Sequence, residues 1–187
     1  MSREGWISGA RNLLIEGGVA QVRLEPLASR LGVTTGSFYW HFSGRDDLLA
    51  ALLDDWTETN TQSFVRVTAN DETGAEEMFA AFIDVWVRQR GFSPAYDAAV
   101  REWARTAPDV ASMVRQVDRK RIGLLRSIFL RLGYDDDRAE VRARIMYYHQ
   151  VGHYALNLKD SPDMRLRYRP LYVEALRDGV GRPKKRD

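Results

Sequence analysis

The run His149-Gln150-Val151-Gly152-His153 sets two imidazoles one helical turn apart, a spacing that can hold a metal ion. A zinc protease needs a glutamate next to the first histidine as general base, and Gln150 cannot take a proton. A structural metal would need third and fourth ligands, which the neighbouring residues do not offer. The pair therefore reads as packing or pocket lining. Asp135-Asp136-Asp137 lacks the spacing of a calcium loop and reads as anions placed at the start of a helix. Cysteine is absent, which removes disulfides, thiolate metal sites and thiol nucleophiles, and fits a reducing compartment. No phosphate loop, dinucleotide fingerprint or nucleophile elbow occurs. The expectation is no catalytic residue, no metal and no cofactor.

A different chemistry is written between Leu24 and Phe42. The segment Leu24-Glu25-Pro26-Leu27-Ala28-Ser29-Arg30-Leu31 is a short helix, with Pro26 tolerated in its first turn. Gly32-Val33 turns the chain, and Thr34-Thr35-Gly36-Ser37-Phe38-Tyr39-Trp40-His41-Phe42 follows as a second short helix. Ala28 is small where the helices must approach, Gly32 relieves the turn, and Val33 plugs the gap. These are the parts of a helix-turn-helix running from about Arg23 to Phe42. Its second helix opens on small hydroxyls and a bare glycine backbone, which can come close to phosphates and base edges. Tyr39, Trp40 and His41 add aromatic and polar tips.

The elements that must position this segment are helical throughout, because apolar residues recur at three and four along almost the whole chain. Trp6, Ile7, Ala10, Leu13 and Leu14 mark a first helix stopped by Gly17-Gly18. After the helix-turn-helix, Ser43 is read as the cap of a fourth helix, with Asp46 and Asp47 in its first turn and Leu48, Leu49, Leu52, Leu53 and Trp56 buried. Its more polar continuation, Asn60 to Thr68, is expected to bridge to a second core. A fifth helix carries Met78 to Val87, a short sixth carries Tyr96, Val100 and Trp103, and Pro108 opens a long seventh that Gly133 ends. The eighth holds Val141 to Leu156, and a ninth is expected to begin near Pro170. Lys and Arg total 28 against 26 Asp and Glu, a near balance that decides little, since a few placed cations outweigh a total.

The string from Thr34 to Phe42, followed by Arg45-Asp46-Asp47-Leu48-Leu49, resembles the signature of the TetR/AcrR family of regulators, and the likeness extends over Ile7 to Leu53. Arg101-Glu102-Trp103-Ala104 before Pro108 also resembles C-terminal domains of that family. The resemblance implies an all-α protein: a three-helix DNA-binding domain over residues 1–47, joined by a linking fourth helix to a ligand-binding and dimerisation domain over 48–187. It implies that Thr34, Thr35, Ser37, Trp40 and His41 face DNA, that Gly36 permits close approach, and that Tyr39 and Arg45 bond phosphates. Three residues depart from the family pattern. Arg45 stands where lysine is usual, Arg23 stands where a threonine or serine caps the second helix and gains a phosphate contact in exchange, and Trp40 alters base preference.

In the C-terminal part Phe79, Phe82, Trp86, Tyr96, Trp103, Met113, Val117 and Tyr147 are singly core residues and as a group could line an apolar cavity. The family likeness implies a small apolar or amphipathic inducer there. Val141, Ile145, Tyr148, Gly152 and Ala155, with Leu171, Tyr172, Ala175 and Leu176, are read as a two-fold helical interface. One helix-turn-helix reads only a few base pairs, so two copies on a near-palindromic double-stranded operator are expected. The expected function is repression relieved by a ligand, and the competing readings are a small helical enzyme or an adaptor that binds protein. No apolar run approaches the roughly 20 residues that cross a bilayer, and the N-terminus lacks a signal-peptide core. A prokaryotic cytoplasmic, nucleoid-associated protein without a membrane partner is expected. The basic tail Arg182 to Arg186 reads as solvated.

Overall fold

The computed structural model describes residues 1–69, 72–156 and 160–178, apart from the side chains of residues 162 and 176–178. Among them all regular structure is helical: α1 (Arg3–Gly17), α2 (Leu24–Leu31), α3 (Arg45–Thr59), α4 (Gln62–Thr68), α5 (Ala75–Arg88), α6 (Pro94–Ala104), α7 (Pro108–Arg131), α8 (Asp136–Leu156) and α9 (Pro162–Asp178), with 3₁₀ turns at Val19–Gln21 and Thr35–Trp40. The chain packs as two compact units, residues 1–60 with 93–116, and residues 61–92 with 117–187. These packing units cut across the division at residue 47, because α3 and α6 close the first core.

In the first unit Ser2 caps α1 by accepting from the Gly5 N–H, and Gly18 ends it at a φ of 75°. Trp6, Ala10 and Leu14 face inward against Leu27, Phe38, Leu48, Leu52 and Trp56, all nearly or wholly buried. Gly9 lets α1 and α2 approach: a Cβ there would stand 2.9 Å from a Leu27 methyl. The fourth helix does not run on past Asn60 as expected. α3 stops at Thr59 because the Asn60 side chain is diverted to the next element: its Nδ2 donates to the Ser93 carbonyl and its Oδ1 accepts from the Ser93 N–H, both at 3.0 Å. Ser93 in turn accepts from the Tyr96 N–H and caps α6, with Pro94 at the first helical position.

α6 is then locked to α1 and α3 by a polar cluster. Arg11 grips the Asp55 carboxylate with two nitrogens, the closest at 2.6 Å. The Tyr96 hydroxyl, buried to 1% exposure, donates to the Leu52 carbonyl at 2.6 Å and reaches Asp55 at 3.0 Å. Burial first, and then the Asp55 charge, push the Tyr96 phenol pKa well up.

The second unit is aromatic at its centre. Phe64, Phe82 and Trp86 form a mutual cluster with ring centroids 4.7 to 5.2 Å apart, and Phe79 packs edge-on to Phe129. Ala139 and Ala143, both fully buried, let α8 lie close to this core. Arg121 is buried over the rings of Phe64 and Phe92 and donates to the Tyr147 hydroxyl, which donates to Asp118 at 2.6 Å. α9 begins at Pro162, eight residues earlier than expected, because Ser161 accepts from the Met164 N–H as its cap; Pro170 lies inside it. Its arginines meet carbonyls of α5. Arg165 donates to Trp86 O and Arg169 to Ala80 O, both at 3.2 Å, and Arg169 pairs with Asp84 at 2.9 Å. Trp86 is the third residue from the end of α5, so its carbonyl has no partner within the helix and takes these donors.

Candidate nucleic-acid interface and ligand cavity

The reading segment is held from behind. Gly32, at a φ of 66°, reverses the chain after α2, and the Val33 N–H returns to the Ala28 carbonyl at 3.1 Å. The expected recognition helix is present as a 3₁₀ turn of six residues, Thr35–Trp40. Phe38 anchors it: the ring is buried, edge-on to Trp6 at 5.3 Å and stacked on Phe42 at 5.2 Å. With Phe38 turned in, Tyr39 and Trp40 turn out, at 63% and 86% exposure. An indole left that far in water forgoes about 4 kcal/mol of burial, so the fold gains nothing from it.

Thr34, Thr35 and Gly36 are exposed on the same turn. A Cβ at Gly36 would meet nothing closer than the Thr34 hydroxyl at 3.9 Å, so no neighbour in the chain requires a glycine there. Ser37 is partly committed, its hydroxyl donating to the Thr34 carbonyl at 2.8 Å. His41 stands apart from the exposed group, half-buried with Nε2 3.0 Å from the Met1 carbonyl. It fastens the N-terminus beside the turn.

The two arginines carry internal work that sequence reasoning missed. Arg45 donates from Nε to Val22 O at 2.7 Å and from Nη2 to Val19 O at 2.8 Å, tying the start of α3 to the turn that precedes α2. Lysine, a point charge, would not span two carbonyls in this forked way. Arg23 donates to Ala20 O and makes no cap, which leaves α2 without a side-chain cap as expected. A guanidinium has five N–H groups, so both residues keep donors for an outside acceptor. Ser43 does not cap α3 in the expected sense. Gly44 is the cap residue, and Ser43 instead donates from its N–H and hydroxyl to Asp47.

The eight candidate pocket residues fall in two packing units. Tyr96, Trp103 and Met113 belong to the first unit, while Phe79, Phe82, Trp86, Val117 and Tyr147 belong to the second. Phe79, Phe82, Val117 and Tyr147 fill their own space in the core. A cavity of about 70 Å³ does lie in the second unit, between α5, α8 and α9. Of the eight expected residues only Trp86 lines it; the others around it are Ile83, Val87, Met146, His149, Gln150, His153, Asp160, Arg165, Tyr168, Arg169, Tyr172 and Val173. Burial lowers the pKa of both histidines. The neighbouring His153 adds to this at His149, and the Arg165 charge adds to it at His153, so the neutral forms are favoured. Both histidines stand among the residues around the cavity.

Along α8, Val141, Ile145 and Tyr148 stand 53%, 49% and 57% exposed, and on α9 Leu171 and Tyr172 are 59% and 49% exposed. Ala155 and Ala175 are also exposed, and Gly152 is half-buried with open space where a Cβ would be. The Leu176 side chain lies outside the described residues, as does the basic tail. Leu156, four residues after Gly152 and 68% exposed, extends the stripe. An apolar stripe of this extent on helices that already have a core behind them is the mark of an interaction surface.

An amphipathic helix-turn-helix head with its aromatic tips outward, in one chain with a second helical unit, defines the helix-turn-helix class of proteins. Residues 7–52 match the bacterial regulatory proteins of the tetR family. The same region is 41% identical over 54 residues to the transcriptional regulator TtgR of Pseudomonas putida, and 36% identical over 52 residues to SrpR of the same species. Those stretches cover 29% and 28% of this chain and 26% and 24% of the relatives, so the chain matches about a quarter of their length. Over nearly the whole chain the fold is similar to a putative transcriptional regulator from Pseudomonas aeruginosa, with a TM-score of 0.75 at 17% identity, covering 95% of this chain and 91% of that one. It is also similar to SmeT, the repressor of a Stenotrophomonas maltophilia multidrug efflux pump, with a TM-score of 0.67 at 22% identity, covering 99% and 95%. Among the described residues no helix is long and apolar enough to cross a membrane.

Proposed function

We propose that the protein is a transcriptional repressor that binds a near-palindromic double-stranded DNA operator as a homodimer and is released by a small-molecule ligand. The observation that carries this reading is the exposed turn Thr34 to Trp40, mounted on a buried Phe38 within a segment that matches a DNA-regulator family. Residues 1–47 supply the reading head. Thr34, Thr35, Gly36, Ser37 and Trp40 meet base edges and sugar-phosphate, Tyr39 bonds a phosphate, and Arg23 and Arg45 present their remaining N–H groups to the backbone. His41 acts at the edge of this surface, through the N-terminus it holds.

Residues 48–187 supply the ligand cavity and the dimer face. The exposed stripe of α8 and α9 pairs with its own copy, which fixes two reading heads at a spacing near one DNA turn, about 34 Å. A ligand that favours a differently packed dimer weakens operator binding by differential affinity for the two states. Nothing in the structure favours the enzyme or adaptor readings over this one.

The test is binding to fragments of the protein's own genome, followed by a salt titration on the best fragment. A two-fold symmetric footprint and a steep linear fall of log K with log salt are expected. Tyr39→Phe and Arg45→Ala weaken all sequences alike, and Arg45→Ala flattens the slope by about one unit. Saturable binding to no fragment at low salt would refute the reading.

A further inference from the structure

The cavity of the second unit has a graded depth. Trp86 and Met146, at 2% and 4% exposure, form its floor, while Tyr168 and Tyr172, at 39% and 49%, stand at its mouth. At about 70 Å³ it holds roughly half the volume of a cavity that accepts benzene, enough for a ligand's head group while the rest lies at the mouth. Gln150 and Arg165, which line this space, carry donor N–H groups not fully used within the chain. The Gln150 Nε2 is buried with no hydrogen-bond partner among the described residues. Arg165 spends one nitrogen on Trp86 O and the Tyr154 hydroxyl and stacks on the Tyr154 ring, yet has no carboxylate partner among the described residues. Arg169, by contrast, is neutralised by Asp84. The acid of the cavity, Asp160, lies 3.7 Å from His153 Nδ1.

We infer that this cavity is the effector site and that it recognises a carboxylate carried on a small aromatic frame, an inference that rests on the regulator reading above. A buried amide N–H without an acceptor costs about 1–3 kcal/mol, and a carboxylate oxygen satisfies it. The same group gives Arg165 the planar anionic partner that its fork fits best. An ammonium ligand would find Asp160 but would leave Gln150 unsatisfied and meet the Arg165 charge. The aromatic frame follows from the mouth, where the Tyr172 ring already stacks at 4.7 Å on His149 and Tyr168 stands open. Tyr172 also belongs to the exposed stripe of α9, so an occupant that displaces it acts directly on the surface through which two copies pair.

The probe is benzoate, compared with benzamide and benzylamine on the full-length protein. Tryptophan emission should change saturably with benzoate, at least tenfold more tightly than with benzamide and without response to benzylamine. Trp86→Phe should remove most of that signal while calorimetry still detects binding. Arg165→Met should weaken benzoate at least tenfold, whereas Arg167→Met, an equal loss of charge on the exposed side of α9, should not. Gln150→Leu should weaken benzoate several-fold while holding or raising thermal stability, a combination that a purely structural residue would not give. Equal affinity for benzamide, preference for benzylamine, or no effect of both Arg165→Met and Gln150→Leu would overturn the carboxylate assignment. Benzoate that binds with these properties but leaves operator affinity unchanged would overturn the effector role alone. Failure of the protein to bind any DNA would remove the regulator reading and leave the carboxylate result intact.

Discussion

Replacing Tyr96 by phenylalanine removes one oxygen atom from the lock that holds α6 to α3. The hydroxyl is buried and makes a 2.6 Å bond to Leu52 O and a 3.0 Å contact with Asp55. A hydrogen bond to an ionised carboxylate contributes about 1.5–3 kcal/mol, and Asp55 keeps Arg11 afterwards, so the loss should be about 2 kcal/mol at pH 7. The phenol supplies a second, sharper signature. Its pKa is raised in the folded protein, so above pH 10 the unfolded chain releases this proton while the native state retains it. Native stability therefore falls with rising pH, by up to about 1.4 kcal/mol per unit for one proton. Tyr96→Phe lacks this term. The gap between the two proteins should shrink from about 2 kcal/mol at pH 7 to below about 1 kcal/mol near pH 11, while the other seven tyrosines cancel in the difference. Urea unfolding followed by the emission of the buried Trp6 and Trp56 measures both quantities. A loss under about 0.5 kcal/mol, or a gap that stays constant with pH, would show that the hydroxyl is not engaged as described.

Four further outcomes follow from the same reasoning. Gly36→Ala should leave thermal stability within about half a kcal/mol, because its Cβ has room, yet weaken operator binding at least tenfold; Trp40→Ala should shift base preference at particular positions and leave the salt slope unchanged. Gly152→Trp should fold, since no atom lies within 4 Å of the new Cβ, but sediment as a monomer and bind operator poorly; a dimer of unchanged affinity would place the interface elsewhere. Because the pKa values of His149 and His153 are lowered, the unfolded chain takes up protons first as pH falls below about 6.5, and stability should decline until the native histidines also protonate. The double change of His149 and His153 to asparagine should flatten that decline between pH 7 and 5, as read by thermal melts.

The reading head was legible in the sequence because its cues are local. Gly18 and Gly32 end α1 and α2 in left-handed or near left-handed geometry that few other residues adopt, and the Thr34 to Phe42 string carries its own pattern of one buried ring between exposed tips. What escaped depends on distance along the chain. The period of α6 says that Tyr96 and Val100 face a core but not which core, and the partners turn out to be Leu52 and Asp55, more than forty residues earlier. Arg45 looked like a free cation because its acceptors, Val19 O and Val22 O, are backbone atoms that no sequence pattern marks. The lining of the cavity in the second unit was hard to read for a related reason. Large aromatic residues signal volume, and Phe79 and Phe82 use that volume to fill a core, while the cavity between α5, α8 and α9 mixes apolar residues such as Ile83 and Met146 with His149, Gln150 and Arg165. The start of α9 was assigned to Pro170 because proline favours a first turn, although Ser161-Pro162 offers the same signal earlier.

The lock around Asp55 makes the head a discontinuous object in the chain. Residues 1–60 form a compact unit only together with residues 93–116, and the side chains of Tyr96 and Val100 are among its most deeply buried. A ribosome that has released the first sixty residues has therefore not yet released a complete head, which must wait for α6 to emerge. The same holds for anyone who would graft this head onto another regulator. Cutting after α3 would expose the socket that Tyr96 fills and leave Arg11 and Asp55 facing water. A working transplant has to carry α6 along, or rebuild that socket with side chains that need no partner.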